Sequence, residues 1–419
     1  MLSRSRLKVK RVVKQVAVGD GGLRGQTQPL QRRVNSNWVR RVNAASILQA
    51  LRDHSGASQR RIGEITGLDK ATVSAVVGQL VAFGLIERTP APLSGRQGRP
   101  EVALTIQRSA GTVVGVLLEL ERIDLIAADL AGRVVAKVNL PGTSDLDEAR
   151  IRLAAGVEEL VRRSDVGPIL GFGVGIPALI NDSGRLLLAP NLDWSDLPIG
   201  QLLGDDLPAP VWVHNDTKAA ALAERRFGSC RSVDDFLYVA AHSGVGGALF
   251  LGGDLYRGVA GLAGEIGHIN VVPNGERCSC GAAGCLEAYL SEPALRRQLA
   301  TSGAEEGGMA DIAKRAAASE PAVRDLLDHA GLHLAKALAS LINTLNPGRV
   351  VLGGDLALIA PYLLPACLKE LDGLALPAAQ HGLIIEPSPL GRDAVAMGGI
   401  AMALDAAQER LLDQMIGLS

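Results

Sequence analysis

Aromatic side chains are scarce in this 419-residue chain: Phe, Trp and Tyr together make up 3% of it. Its cores must therefore be built from aliphatic side chains and alanine, with 49 glycines letting layers approach closely. Cysteine is scarce too. Five thiols do not make the disulfide framework of a secreted scaffold, so a reducing, cytoplasmic setting is expected. No apolar run reaches the ~20 residues that a membrane-spanning helix needs. The opening run MLSRSRLKVKRVVKQ is basic with no apolar segment behind it, which argues against a secretory signal. Net charge is also nearly missing, at −1.

That small net charge conceals a split. Residues 1–100 hold 18 Lys/Arg against 5 Asp/Glu, and the remainder holds 25 against 39. A basic front end on an acidic body points to nucleic-acid binding by the first hundred residues, and the helix-turn-helix pattern within them makes double-stranded DNA the expected partner. Residues 1–35 read as a flexible basic arm. Order is expected from about Trp38, with Val42, Ala45, Ile47, Leu48 and Leu51 at helical spacing. Ser58 can cap a second helix that turns Ile62 and Ile65 inward. Gly67 is a turn residue, and Asp69 caps a third helix with Val73, Val76, Val77, Leu80 and Phe83 on its buried side. Helix, short turn and helix make a helix-turn-helix signature over residues 36–106. Lys70, Thr72 and Ser74 open the third helix, where such motifs meet base edges. A hairpin between residues 86 and 105 would form a wing, with Arg96 and Arg99 on a glycine-rich backbone suited to phosphate or minor-groove contact.

A second cluster is more specific. His268, Cys278, Cys280 and Cys285 lie within eighteen residues. One imidazole and three thiols complete a tetrahedral ligand set for Zn2+ and leave no position for water, so the metal is expected to be structural. Gly275, Gly281 and Gly284 permit a tight loop around it. Three of the five cysteines beside one histidine are hard to ascribe to chance.

From Thr112 the pattern becomes β/α. Strands are expected near 113–118, 123–129, 134–138, 169–175 and 211–214, with helices at about 146–163 and 217–227. A second such half starts at Phe236 and returns to a strand at Arg349–Gly354. Two α/β lobes with a cleft between them follow.

The motifs of this body resemble the ROK family of repressors, open reading frames and sugar kinases. The matching pieces are Asn215-Asp216 before an Ala-rich helix, Ser243-Gly-Val-Gly-Gly247, Gly264-Glu265-Ile-Gly267-His268, Cys278-x-Cys280-x4-Cys285-x-Glu287, and Asn346-Pro347 ahead of Gly353-Gly354. The likeness implies an α/β fold with a two-lobed, actin-like ATPase body over residues 110–405, behind the winged helix-turn-helix. It also implies that Asn215, Asp216, Glu265, His268 and Glu287 face a monosaccharide or sugar derivative. His268 would then hold zinc with one ring nitrogen and turn the other to the ligand. Asp216 has a plainer reading as a helix N-cap, and Glu265 and Glu287 as surface acids. Kinases of the family carry an early Asp-x-Gly-Gly-Thr loop. Here Glu119-Leu-Glu121-Arg122 stands in its place, without the glycine pair or the threonine. The expectation is a regulator, not an enzyme: a sugar-responsive repressor of carbohydrate genes, dimeric on a two-fold operator. An ATP-dependent sugar kinase with an added DNA-binding domain is the alternative. Lys218 stands where many of the kinases have Asn, and no role follows from its position alone.

Overall fold

The computed structural model describes residues 36–90, 102–163, 167–301 and 307–417. The basic arm and the wing residues Arg96 and Arg99 lie outside the described residues. The front end comprises α1 (Ser36–Asp53), α2 (Gln59–Thr66), α3 (Lys70–Ala82), β1 (Ile86–Pro90) and β2 (Val102–Ile106). The first lobe adds β3 (Thr112–Leu118), β4 (Arg122–Asp129), β5 (Val134–Pro141), α4 (Leu146–Arg163) and β6 (Ile169–Ile176). It continues through a small three-stranded sheet of β7 (Leu179–Ile180), β8 (Leu186–Ala189) and β9 (Trp194–Leu197), then α5 (Ile199–Gly204), β10 (Val211–Asn215) and α6 (Asp216–Arg226). The second lobe holds β11 (Phe236–Ala241), β12 (Val245–Leu251), β13 (Asp254–Leu255), α7 (Glu287–Leu290), α8 (Glu292–Thr301), α9 (Met309–Ala317) and α10 (Pro321–Leu345). It is completed by β14 (Arg349–Gly354), α11 (Leu356–Leu374), α12 (Pro377–Gln380) and β15 (Ile384–Pro387). Last, α13 (Ala394–Met415) returns to the first lobe.

Each lobe is centred on a five-stranded sheet, ordered β10-β6-β3-β4-β5 in one and β13-β12-β11-β14-β15 in the other. In both, an antiparallel meander is joined to parallel strands: β3 to β6 and β6 to β10 in the first, β11 to β14 and β14 to β15 in the second. The residues just past the C-terminal ends of β6, β10, β11 and β14 include Ala178, Asp216, His242 and Asp355. The Ser243 glycine run is the turn of an antiparallel hairpin, with Ala241 opposite Val245.

The front end forms for local reasons. Ser58 caps α2 by accepting from the Arg61 amide, and Gly67 ends it at φ 71. Asp69 caps α3 by accepting from the amides of Ala71 and Thr72. Three expected core residues face water instead: Val42 is 40%, Ile65 36% and Phe83 39% exposed. α2 is too short to bury more than Ile62, and Phe83 lies past the last turn of α3, where Gly84 reverses the chain at φ 80.

The front end is not tethered loosely to the body. Ile47, Leu51, Val77 and Leu104 belong to one apolar core with Val113, Ile126, Leu130, Ile400, Leu404 and Leu412. Polar contacts frame the seam. Arg52 donates to the Leu130 carbonyl at 2.8 Å and to Gln408 at 2.5 Å, and Arg41 pairs with Glu409 and Asp413. α13 itself is packed backbone to backbone. A Cβ on Gly398 would fall 1.8 Å from the Ala219 carbonyl of α6, and one on Gly399 would fall 2.2 Å from the Gly173 carbonyl of β6. Glycine is required at both positions by this close approach.

Candidate effector and metal site

The loop after β13 brings His268, Cys278, Cys280 and Cys285 together, with their ligand atoms all within 4.8 Å of one another. Cys278 Sγ lies 3.6 Å from His268 Nδ1, and Cys280 Sγ lies 3.8 Å from Cys285 Sγ. Backbone bonds shape the turn: Cys278 N to Ala282 O, Val271 N to Gly284 O and Gly284 N to Glu276 O, each 2.8 Å. Gly281 (φ 91) and Gly284 (φ 81) make it possible. Gly275 is needed differently, since a Cβ there would lie 2.1 Å from the Tyr289 hydroxyl, which accepts from the Glu276 amide. Burial pushes the Cys285 thiol up to about 12, with the neighbouring thiols adding to the shift. Three thiols so close ionise together only beside a cation, and a soft donor set of three sulfurs and one nitrogen fits such an ion.

Beside this loop lies the corner where β10 meets α6, close enough for Lys218 and Asp216 to act on Glu265. Asn215 ends β10 and is the N-cap of α6, its Oδ1 accepting from the Lys218 amide at 3.0 Å. The cap is therefore Asn215, and Asp216 is the first residue of the helix. Asn215 Nδ2 donates to the Ala178 carbonyl and to Asp216 Oδ1 at 3.2 and 2.9 Å. Burial raises the Asp216 carboxyl, and hydrogen bonds from Thr217 oppose the shift. Glu265 keeps an exposed edge, but loss of water around its carboxyl raises it, with His268 and Lys218 opposing. Glu287 opens α7 and is held on both oxygens. Oε2 accepts from the Val245 amide at 3.1 Å, and Oε1 accepts from Ser279 at 2.8 Å and from Cys278 at 3.5 Å. Glu287 thus ties the metal loop to the glycine hairpin, which limits how freely it can turn to a ligand.

Several contacts at the cleft have no signal in the sequence. Asn191 Nδ2 donates to Ser243 Oγ at 2.8 Å, from the β8–β9 turn to the second lobe. His242 Nδ1 bonds to Asp355, and this bond, partly offset by burial, raises the imidazole to about 9. Glu292 joins the pair to make a second cluster of three metal-type donors. In the β3–β4 turn, Arg122 Nε pairs with Glu119 at 2.7 Å and Asp124 at 3.3 Å. Arg122 thereby offsets part of the negative charge of Glu119, Glu121 and Asp124 in this hairpin. The Asn191–Ser243 and His242–Asp355 bonds join residues far apart in sequence, with no periodic pattern to mark them.

On the front end, Lys70 and Ser74 are exposed at the start of α3. Thr72 is half-buried and its hydroxyl donates to Asp69 Oδ2 at 2.6 Å, so the side chain completes the cap.

Comparison with known proteins covers both parts. The ROK family model matches residues 113–406, and the MarR family model matches residues 40–97. The xylose repressor of Bacillus subtilis strain 168 is 29% identical over 375 residues, spanning 88% of this chain and 97% of its own. The DNA-binding transcriptional dual regulator NagC of Escherichia coli K12 is 27% identical over 394 residues, spanning 91% and 96%. Among solved structures, a ROK family transcriptional regulator homologous to the E. coli MLC protein has a TM-score of 0.78 at 26% identity, covering 91% of this chain and all of that one. A ROK family glucokinase from Streptomyces griseus, in complex with glucose and AMPPNP, has a TM-score of 0.61 at 27% identity and covers only 71% of this chain. A two-lobed body with a Gly-Glu-x-Gly-His and cysteine loop, behind a helix-turn-helix, places this chain in the ROK family.

Proposed function

We propose that this chain is a sugar-responsive transcriptional regulator, a repressor that binds an operator upstream of genes for carbohydrate uptake or catabolism. The observation that carries this reading is the single apolar core running from the helix-turn-helix into the lobe that bears Asn215 and Asp216. A DNA reader and a cleft lined by carboxylates and an amide thereby move as one body. Relatives named as repressors support it, since they align along nearly their whole length, front end included.

In this reading a monosaccharide or derivative lies between Asn215 and Asp216 on one lobe and Glu265, His268 and Glu287 on the other. Carboxylates accept two hydroxyl bonds each, which suits a polyol. Zn2+ held by Cys278, Cys280, Cys285 and His268 Nδ1 braces the loop and fixes the imidazole, leaving Nε2 for the ligand. Lys70 and Ser74 lead α3 into the major groove, and Arg96 and Arg99 contact phosphates or the minor groove. A homodimer would place two copies of α3 about 34 Å apart on a two-fold site. The sugar acts by binding the closed and open bodies with different affinity. Phosphoryl transfer is not expected, because the paired Glu119 and Arg122 occupy the turn where family kinases carry their glycine–threonine loop. The protein is expected to work in the cytoplasm; among the described residues no helix is long and apolar enough to cross a membrane.

Footprinting of the DNA upstream of the neighbouring sugar operon, with and without xylose, glucose or N-acetylglucosamine, tests the proposal. A protected two-fold site whose occupancy changes with one sugar is the expected result. No protected site under any condition, or ATP turnover with any of the sugars, contradicts it.

A further inference from the structure

Lys218 carries an ammonium into a place with almost no surface: the residue is 3% exposed. Burying such a charge is costly unless it is bonded and balanced. Its Nζ donates to the Gly261 carbonyl at 2.5 Å, across the seam between α6 and the loop of the second lobe. The balancing charges are the Glu265 carboxylate, four residues further along that loop, and to a lesser extent Asp182. The same loop also meets Asp182 of the first lobe. A Cβ on Gly261 would sit 3.0 Å from the Asp182 amide, and Arg257 lies 3.6 Å from the Asp182 carboxylate. The Gly261 segment therefore touches the first lobe at both Lys218 and Asp182.

The same residue acts at its other end. The Lys218 amide donates to Asn215 Oδ1, which sets the orientation of the amide group and frees Nδ2 for Ala178 and Asp216. Beside it lies His214, 9% exposed, with neither ring nitrogen partnered. Burial, then Arg257 and Lys218, hold that imidazole down to about 4. It is neutral at physiological pH and adds no charge to compete for Glu265.

We propose that Lys218 is the positioning residue of the effector cleft: one residue ties the Asn215–Asp216 corner of the first lobe to the Gly261–His268 loop of the second, and so sets the gap that the ligand must fit. The proposal deepens the reading of this cleft as a sugar site and rests on it. An apolar side chain of equal length leaves the Gly261 carbonyl without its donor and takes away one of the positive groups that face Glu265. The loop is then free to drift, and the ligand must supply the ordering that Lys218 supplies now.

The test uses the full-length, zinc-loaded protein. Wild type, Lys218→Met and Lys218→Arg are titrated calorimetrically with D-xylose, D-glucose and N-acetylglucosamine, and amide exchange over residues 257–268 is measured without sugar. Lys218→Met should bind the wild type's preferred sugar at least about tenfold more weakly, the loss expected for a charged hydrogen bond. Exchange in the segment should rise while bound zinc per chain stays the same. Lys218→Arg keeps a charged donor and should recover most of the affinity, which a purely space-filling role would not allow. Sugar affinity within twofold of wild type in Lys218→Met, with unchanged exchange, would overturn the proposal. Should Lys218→Met fail to fold, Lys218→Gln takes its place, with a partial loss expected and wild-type affinity overturning it. If no sugar binds the wild type, the sugar reading fails by itself. The exchange measurement still decides the role of Lys218, with a rise supporting it and no change refuting it.

Discussion

Arg52→Met probes the seam between the DNA-binding front end and the body. Arg52 reaches from α1 to the Leu130 carbonyl and to Gln408 of α13. Burial, then Arg226, lower its pKa to about 9, so holding the guanidinium there is itself costly. A hydrogen bond from a charged donor contributes roughly 1.5–3 kcal/mol, and a buried acceptor left unpaired costs about 1–3 kcal/mol. Methionine fills much of the space and removes the desolvated charge, which offsets part of the loss. The net destabilisation should be about 2 kcal/mol. Urea unfolding followed by circular dichroism and by tryptophan fluorescence measures it. Trp38 reports on α1, and Trp194 and Trp212 report on the first lobe. Because the two parts share one core, wild type should unfold in a single transition seen alike by both probes. A front end that melts before the body, or a change below about 0.5 kcal/mol, would refute the argument that the seam is a fixed, cooperative contact.

Gly398→Val puts a branched side chain where even a Cβ would lie 1.8 Å from the Ala219 carbonyl. It should cost more than about 3 kcal/mol or yield insoluble protein, read by thermal melting and solubility; a melt like that of wild type would show that α13 and α6 are not so close. The His242–Asp355 pair predicts a pH dependence. Its folded pKa of about 9 lies above the ordinary 6.5, so the stabilisation is complete below pH 6.5 and is lost as pH rises through 9. NMR titration should place His242 well above a free imidazole and Asp355→Asn should bring it back; an unchanged value in the variant contradicts the pairing. Cys280→Ser removes an exposed ligand without opening a cavity. Zinc per chain by mass spectrometry should fall, and sugar response should weaken more than DNA affinity; equal loss of both would indicate general unfolding.

Much of the architecture was legible because it is written in local patterns. The caps at Ser58 and Asp69, the turn at Gly67 and α4 over Leu146–Arg163 follow from residue types at fixed spacing. The metal loop was legible for the same reason, since its ligands lie within a short stretch rich in glycine. Asn215 and Asp216 could be singled out, but which of them caps α6 depends on backbone geometry. What stayed hidden depends on distant parts of the chain. Nothing near Ile65 or Phe83 shows that their faces lack a partner. The bonds Lys218–Gly261, Asn191–Ser243 and His242–Asp355 join segments 43, 52 and 113 residues apart. The shared core of α1 and α13 spans nearly the whole chain, so sequence reading alone took the front end as a separate unit.

The most direct test is fluorescence anisotropy of the full-length protein on its footprinted operator, titrated with the sugar that calorimetry identifies. The account predicts that operator affinity shifts by at least about fivefold at saturating sugar, and by reciprocity that operator DNA shifts the sugar affinity by the same factor. Sugar that binds while operator affinity stays constant would contradict it.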